Sequence, residues 1–293
     1  MASIKIYFKA GHLLVINPKL FFKYLFYRTK RLSSKWKHFD IKNFSKKFNK
    51  VFFTVNTQAS SADKSYIRQL FFDCYQLDVL KIIKKYLKLG DTFIDVGANI
   101  GYFTAIGASL VGKTGEVHAF EPVPKVFKNL TRIKDRNPNY KIILNNCAVG
   151  DFVGTAPIMI APSDTGGGSS MIQEMTEKDL FKKGTNVSVV RLDRYIKKNK
   201  INNISLIKID VEGYEFSVLK GLEKFFKNSK NRPIIVCEIA TKAYSTSEQT
   251  RSQLIAYMEK YGYRAYNIAN ERLPVNIAKF KMGEGVDVVF IVK

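Results

Sequence analysis

Residues 94–104 read IDVGANIGYFT, and this stretch decides the fold. A short apolar run ends in Asp95 and turns through Gly97, Asn99 and Gly101 into a helical pattern. Glycines let a backbone come close to a ligand where a Cβ would clash. The helix beginning near Gly101 aims its free N–H groups and positive dipole end at the same place. The spacing is G-x-x-x-G, not the G-x-G-x-x-G that wraps a pyrophosphate. An acid two residues before the first glycine would repel a pyrophosphate. It suits a ligand whose nearest group is an ammonium, such as the methionine part of S-adenosylmethionine (SAM). Asp95, Gly97, Asn99 and Gly101 are therefore the first cofactor-binding candidates.

On either side, short apolar runs alternate with amphipathic stretches. Strands are expected at 92–96, 116–120, 141–145, 156–160, 187–191, 205–211, 233–238, 263–267 and 286–292. Helices are expected at 101–111, 124–134, 191–199, 214–228 and 246–261. The alternation implies an α/β fold, with parallel βαβ units and helices on both faces of an open sheet. Ligands of such sheets sit at the carboxyl ends of the strands. There the second strand, in VHAFEP, ends in Glu121, placed to accept both ribose hydroxyls of a nucleoside. The third runs into NNCAVGD (145–151), where Asn146, Cys147 and Ala148 are candidates to flank an adenine; a plain turn at Gly150-Asp151 is the other reading.

The fourth strand lies in SLIKIDVEGYEFSVLKG (205–221). A central parallel strand should be almost wholly apolar. This one carries Lys208, Asp210 and Glu212 at every second position, hence on one face. Burying such groups without a task is costly. Either they form an internally paired cluster that closes the sheet, or Asp210 and Glu212 stand beside the transferred group, where one orients an acceptor hydroxyl or takes its proton. Two carboxylates are compatible with a divalent metal without establishing one, and no metal ligand is assigned. Glu238, near the end of the fifth strand, is a substrate candidate. So are Ser169 and Ser170, in the glycine- and serine-rich stretch 161–186, which reads as a lid or substrate loop, or as an insert without fixed structure.

The chain has 293 residues and a net charge of +23. Thirteen Lys or Arg stand against Asp40 alone in residues 1–50. Such an excess attracts phosphate-bearing or other acidic partners. Asn17-Pro18 begins a basic helix with aromatic bulk, a pattern that can lie on an anionic membrane surface or pack on protein. Residues 32–50 read as a linker or loose helix. The expected organisation is a basic, partly helical extension (1–60), a helical segment (61–90, with Leu70, Leu77, Leu80, Ile83 and Tyr86 at helical spacing over 65–88) and a SAM-binding domain (91–293). Cys74, Cys147 and Cys237 have no metal-ligand spacing, and His12, His38 and His118 have no partner pattern. No run approaches the roughly 18 apolar residues of a spanning helix, and no secretory signal is evident. The expectation is a cytoplasmic protein, with a peripheral position at the inner membrane surface as the variant.

Together DTFIDVGANIGYFT, AFEPVP, AVGD and IKIDVEGYEFSVLKG resemble the FkbM family of SAM-dependent methyltransferases over about residues 70–293. The resemblance implies a Rossmann-like class I sheet of seven strands, mostly parallel, with the last strand, DVVFIVK, antiparallel. It implies that Asp95, Gly97, Asn99 and Gly101 surround the methionine part of SAM, Glu121 the ribose, and that Asp210 and Glu212 lie near the methyl group and acceptor. It implies O-methylation of sugars, polyketides or other small hydroxylated molecules. FDCYQ (72–76) departs from the family's usual Tyr-Glu, because Gln76 stands where the acid is common. The charge favours an RNA methyltransferase as a rival. Against it, no Asn-Pro-Pro-Tyr follows the fourth strand (NPNY at 137–140 is misplaced), and Cys237 follows Val236 rather than proline. A membrane-surface protein that keeps the fold without catalysis is the second rival, and an NAD oxidoreductase, with the wrong glycine spacing, the third.

Overall fold

The computed structural model describes residues 43–56, 69–70, 75–160, 169, 171, 182–239, 248–275 and 286–292. In chain order these form β1 (Asn43–Phe48), β2 (Val51–Asn56), α1 (Leu77–Tyr86), β3 (Thr92–Val96), α2 (Tyr102–Val111), β4 (Glu116–Phe120), α3 (Pro124–Arg136), β5 (Lys141–Asn145), β6 (Ala148–Val149) and β7 (Gly154–Ile160). There follow β8 (Lys182–Val190), α4 (Leu192–Lys198), β9 (Ile204–Ile209), α5 (Glu215–Lys220), α6 (Glu223–Asn228), β10 (Ile234–Ile239), α7 (Glu248–Lys260), β11 (Tyr263–Asn267), β12 (Asn270–Pro274) and β13 (Val286–Val292).

The main sheet has the order β12-β11-β13-β10-β9-β3-β4-β5. β3, β4, β5, β9 and β10 pair in parallel, and β13 runs antiparallel to both β10 and β11. The expected seven strands, with the last reversed, are all present. An eighth, β12, folds back antiparallel on β11 at the edge. The central strands are apolar because both faces are covered. One face packs Phe93, Val117, Ile142, Leu206, Val236 and Val289 against α1, α2 and α3. The other packs Ile94, Val96, Ile207, Ile209, Ile235 and Phe290 against α4, α5, α6 and α7.

Four expectations change. Residues 43–56 form an antiparallel hairpin, where a linker or loose helix was expected up to residue 50. Asn49 supplies the left-handed turn residue at φ 49°, which Asn tolerates better than most side chains. Val51, Phe53 and Val55 alternate inward and are fully buried, and the rings of Phe48 and Phe53 meet Tyr102 edge-on at 5.6 and 5.8 Å. Asn137, at the end of α3, clips the hairpin down. Its Oδ1 accepts the Phe52 N–H at 2.8 Å, and its Nδ2 donates to the Phe52 carbonyl at 2.7 Å and the Ile133 carbonyl at 2.6 Å. The basic helix expected after Asn17-Pro18 lies outside the described residues.

Residues 156–160 and 187–191 do not join the parallel sheet. β7 and β8 pair antiparallel, and β6 adds to β8 to make a separate three-stranded sheet. β8 begins at Lys182, so the end of the expected loop at 161–186 is strand; its alternation of buried Val187 and Val189 with outward Ser188 is a half-covered strand pattern. Ser170 and most of that stretch lie outside the described residues. The expected helix 214–228 is two helices broken at Gly221-Leu222, because the Gly221 carbonyl accepts the Asp193 N–H at 3.0 Å and a Cβ there would collide with the Gly150 carbonyl. Finally, α1 begins only at Leu77, with Gln76 left-handed at φ 40° before it. Among the described residues no helix is long and apolar enough to cross a membrane.

Candidate active site

The turn after β3 is held from below by β4. The N–H groups of Gly97 and Ala98 donate to the Phe120 carbonyl at 3.0 and 2.9 Å. Gly97 (φ 76°), Asn99 (φ 53°) and Gly101 (φ 87°) are all left-handed. The two glycines owe their missing side chains to the protein's own packing. A Cβ on Gly97 would overlap the Asp210 carbonyl oxygen, and one on Gly101 would collide with Ile133 and come within 2.8 Å of Leu130 on α3. Close approach to a ligand, the reading suggested by the sequence, is therefore not needed to account for either glycine.

Asp95 is fully buried. Its Oδ2 accepts the Thr104 hydroxyl at 2.7 Å, while Oδ1 has no hydrogen-bond partner among the described residues. Burial pushes its carboxyl above the usual range, although Lys208 and Thr104 pull the other way. Lys208 is its register partner on β9. The Lys208 ammonium is enclosed, 3.0 Å from Asp210 Oδ2 and over the Phe103 ring at 5.1 Å. Burial alone would lower its pKa, but Asp210 and Asp95 together hold it above normal.

Glu121 closes the β4 end. Its two oxygens accept the N–H groups of Val123 (2.8 Å) and Asn99 (3.0 Å), so it ties the glycine turn to the second strand. Burial nevertheless raises its pKa to about 7, the two backbone bonds recovering only part of the shift. Asn146 is exposed and spends its amide on the carbonyls of Glu121 (2.8 Å) and Pro122 (3.2 Å), which leaves Oδ1 as the atom to meet a ligand. Ala148 is buried in β6. Burial raises the Cys147 thiol to about 11, so it stays protonated and inert near neutral pH.

At the end of β9 the strand pleat stops at Ile209, so it does not carry Glu212 onto the face of Lys208 and Asp210 as its spacing suggested. Glu212 lies in a left-handed turn, φ 53°, yet still close enough to Glu238 to raise its pKa. Asp210 is brought in by pairing its N–H with the Val96 carbonyl at 3.1 Å. It meets Glu238 of β10 and Gln76 before α1 through side-chain hydrogen bonds. Ser169 is described and half-buried. His118, which has no partner pattern in the sequence, bonds the Tyr195 hydroxyl at 2.9 Å and Glu116 at 3.3 Å, and burial keeps its pKa low.

Three contributors escaped the sequence reading. Thr104 sits one helical turn into α2. Glu215 is fully buried and accepts the Gly213 N–H at 2.8 Å, which shapes the 210–215 turn. Gln76 was noted only as a departure from a pattern. Its spacing from Asp210 gives no signal. Among the described residues, no group of three His, Cys, Asp or Glu side chains could hold a metal ion.

A glycine turn after the first central strand, an acid closing the second and a reversed strand between β10 and β11 define the Rossmann-like fold of class I methyltransferases. The chain belongs to the FkbM methyltransferase family, whose domain model matches residues 95–265, more than half of its length. A model of protein-L-isoaspartate(D-aspartate) O-methyltransferase also matches residues 21–152. The chain is 28% identical to the hexuronic acid methyltransferase AglP of Haloferax volcanii over 145 residues, 50% of this chain and 55% of that protein. It is 33% identical to the 31-O-demethyl-FK506 methyltransferase FkbM of Streptomyces tacrolimicus over 181 residues, 53% of this chain and 67% of that protein. The match thus spans about half to two thirds of these relatives. Among solved structures, the methyltransferase FkbM of Methylobacillus flagellatus overlays with a TM-score of 0.40 at 14% identity, covering 80% of this chain and 56% of that one.

Proposed function

We propose that this protein transfers a methyl group from SAM to a hydroxyl of a sugar, or of another small hydroxylated acceptor. The observation that carries the reading is the close packing of the Gly97 turn against Asp210, which sets a nucleoside-binding turn directly beside an acid-bearing strand end. The residues fit the cofactor: Asp95 keeps an unpartnered, buried oxygen, and the Asn99–Glu121 link sets a carboxylate at the place where a ribose is read in such sheets. Asp95, Gly97, Asn99 and Gly101 would hold the methionine part, Glu121 the ribose, and Asn146 and Ala148 the base. When bound, SAM supplies an electrophilic methyl group.

The protein's own share is positioning. Holding two reactants in line is worth several orders of magnitude in rate. Asp210, fixed by Lys208, offers the acceptor hydroxyl a directed carboxylate oxygen, with Glu212 and Glu238 beside it. The acceptor class is supported by the two relatives, one named for a hexuronic acid and the other for a hydroxyl of FK506. The +23 net charge agrees with an acidic glycan, and with an anionic surface meeting the basic residues before 43.

The test is radiolabelled SAM offered with neutral sugars, uronic-acid glycans and total RNA. Label should enter a hydroxylated small molecule or glycan. Asp210→Asn should reduce that turnover by about 10²-fold or more while calorimetric SAM binding changes little. RNA-dependent labelling that weakens steeply with salt would replace the acceptor assigned here.

A further inference from the structure

Asp210 is an unusual carboxylate, because three side chains point donors at it. Lys208 gives an ammonium at 3.0 Å, and Gln76 and Glu238 add side-chain hydrogen bonds. Gln76 Oε1 is buried without a partner, so it is the amide N–H₂ of Gln76 that meets Asp210. Two carboxyl groups in turn share a hydrogen bond only when one of them keeps its proton.

The surroundings decide which one. Asp210 has a cation and an amide donor on its side. Around Glu238 stand Asp210 from the end of β9, Glu212 from the following turn and Asp287, its register partner on β13, and the cation that the described strands place in this row, Lys208, is bonded to Asp210. Asp95, on β3, lies on the far side of Lys208. The charge on this edge is therefore lowest in energy when Asp210 is ionised and Glu238 is neutral.

We infer that Glu238 is a positioning residue that stays protonated and donates its hydrogen bond to Asp210, fixing Asp210 as an anion whose free lone pair faces the acceptor. The catalytic consequence rests on the methyl-transfer reading; the protonation state does not. The neighbouring acids, Asp210 above all, lift Glu238 to about 10. Burial would raise Asp210 too, but Lys208 and the donors from Glu238 and Gln76 outweigh it and hold Asp210 below the usual carboxylate range. A carboxylate with so many donors is a weak proton acceptor, so Asp210 serves to orient a hydroxyl. Gln76 now has a reason to differ from an acid. A third carboxylate there would remove one donor and add one negative charge to the same oxygen atoms.

The experiment compares Glu238→Gln and Glu238→Ala with the wild-type chain by thermal and denaturant unfolding between pH 6 and 9. Glutamine keeps a donor and has no proton to lose. An acid whose folded pKa is raised gives its full stability below the unfolded pKa and loses it as pH rises towards the folded value. The folding constant of E238Q should therefore gain on wild type by up to about tenfold per pH unit, while Glu238→Ala, lacking the donor, should fall below E238Q at every pH. A wild-type infrared band of a neutral carboxyl at pH 9 that is lost in E238Q should accompany this. A constant E238Q deficit at all pH values, or no neutral carboxyl in wild type at pH 9, overturns the inference, the latter even if E238Q fails to fold. Neither readout needs an acceptor, so SAM failing to bind wild type in calorimetry would sink the proposed function and leave this result standing.

Discussion

Gly97 and Asp210 touch so closely that the α-carbon of one leaves no room for a side chain against the carbonyl oxygen of the other. Position 97 is also left-handed, at φ 76°. Gly97→Ala therefore meets both a strained backbone and a backbone clash. It should lose about 3 kcal/mol or more by denaturant unfolding, with SAM binding lost by calorimetry. Gly262 supplies the control: it has φ 83° but open space around it, so Gly262→Ala should cost only about 1 kcal/mol. Equal losses at the two sites would show that the contact with Asp210 carries no weight.

Thr104→Val removes the hydroxyl that bonds Asp95 Oδ2 and so takes a donor from a fully buried acid whose other oxygen has no hydrogen-bond partner among the described residues. The expected loss is about 1–3 kcal/mol. Thr104 opposes the upward push of burial on Asp95. Without it the folded pKa climbs further from the unfolded value, so the deficit should grow as pH rises from 5 to 8. A deficit independent of pH would mean that the Thr104 hydroxyl does not bias the ionisation of Asp95 in this range.

Glu121 titrates at about 7 in the free protein. If its ionised form accepts the ribose hydroxyls, calorimetric affinity for SAM should weaken below pH 7, approaching about tenfold per unit, and level off above it. Glu121→Gln should bind less tightly at pH 8 and show no such slope. The same carboxyl lowers the protein's stability as pH rises from its unfolded value towards 7. Glu121→Gln must turn its NH2 towards the N–H of Val123 or Asn99, so it should be less stable than wild type at pH 5 without ligand, by a deficit that shrinks towards pH 8.

Asn137→Ala opens the clip on the β1–β2 hairpin. The Phe52 N–H and carbonyl lose their side-chain partner, at an expected cost of about 2–4 kcal/mol. Amide exchange across 51–56 should quicken before that of β3. If β2 exchanges no faster than in wild type, the Phe53–Tyr102 packing holds the hairpin by itself.

What was legible in the sequence was local or periodic. The glycine turn, Glu121 and the paired Lys208 and Asp210 each announce themselves through spacing within one βα unit, and the apolar strands through their continuity. The hairpin at 43–56 carried a period-two signal in Val51, Phe53 and Val55, but the charge of the lysines around it dominated the reading. Glu212 was aligned with Asp210 on the assumption that the strand ran to 211, whereas the turn shaped by buried Glu215 ends the pleat two residues earlier. Gln76 reaches Asp210 only through the fold, since residues 134 positions apart leave no mark on each other's spacing. That interaction came from tertiary packing alone.

The hairpin clipped by Asn137 also acts as a mooring. Residues 1–42 hold ten Lys or Arg against one acid, and they join the domain at a hairpin bonded to the end of α3 through Asn137 and packed on α2 through Tyr102. For any partner of that segment, the nearest fixed point of the domain is therefore this hairpin, held by Asn137 together with the Phe53–Tyr102 contact.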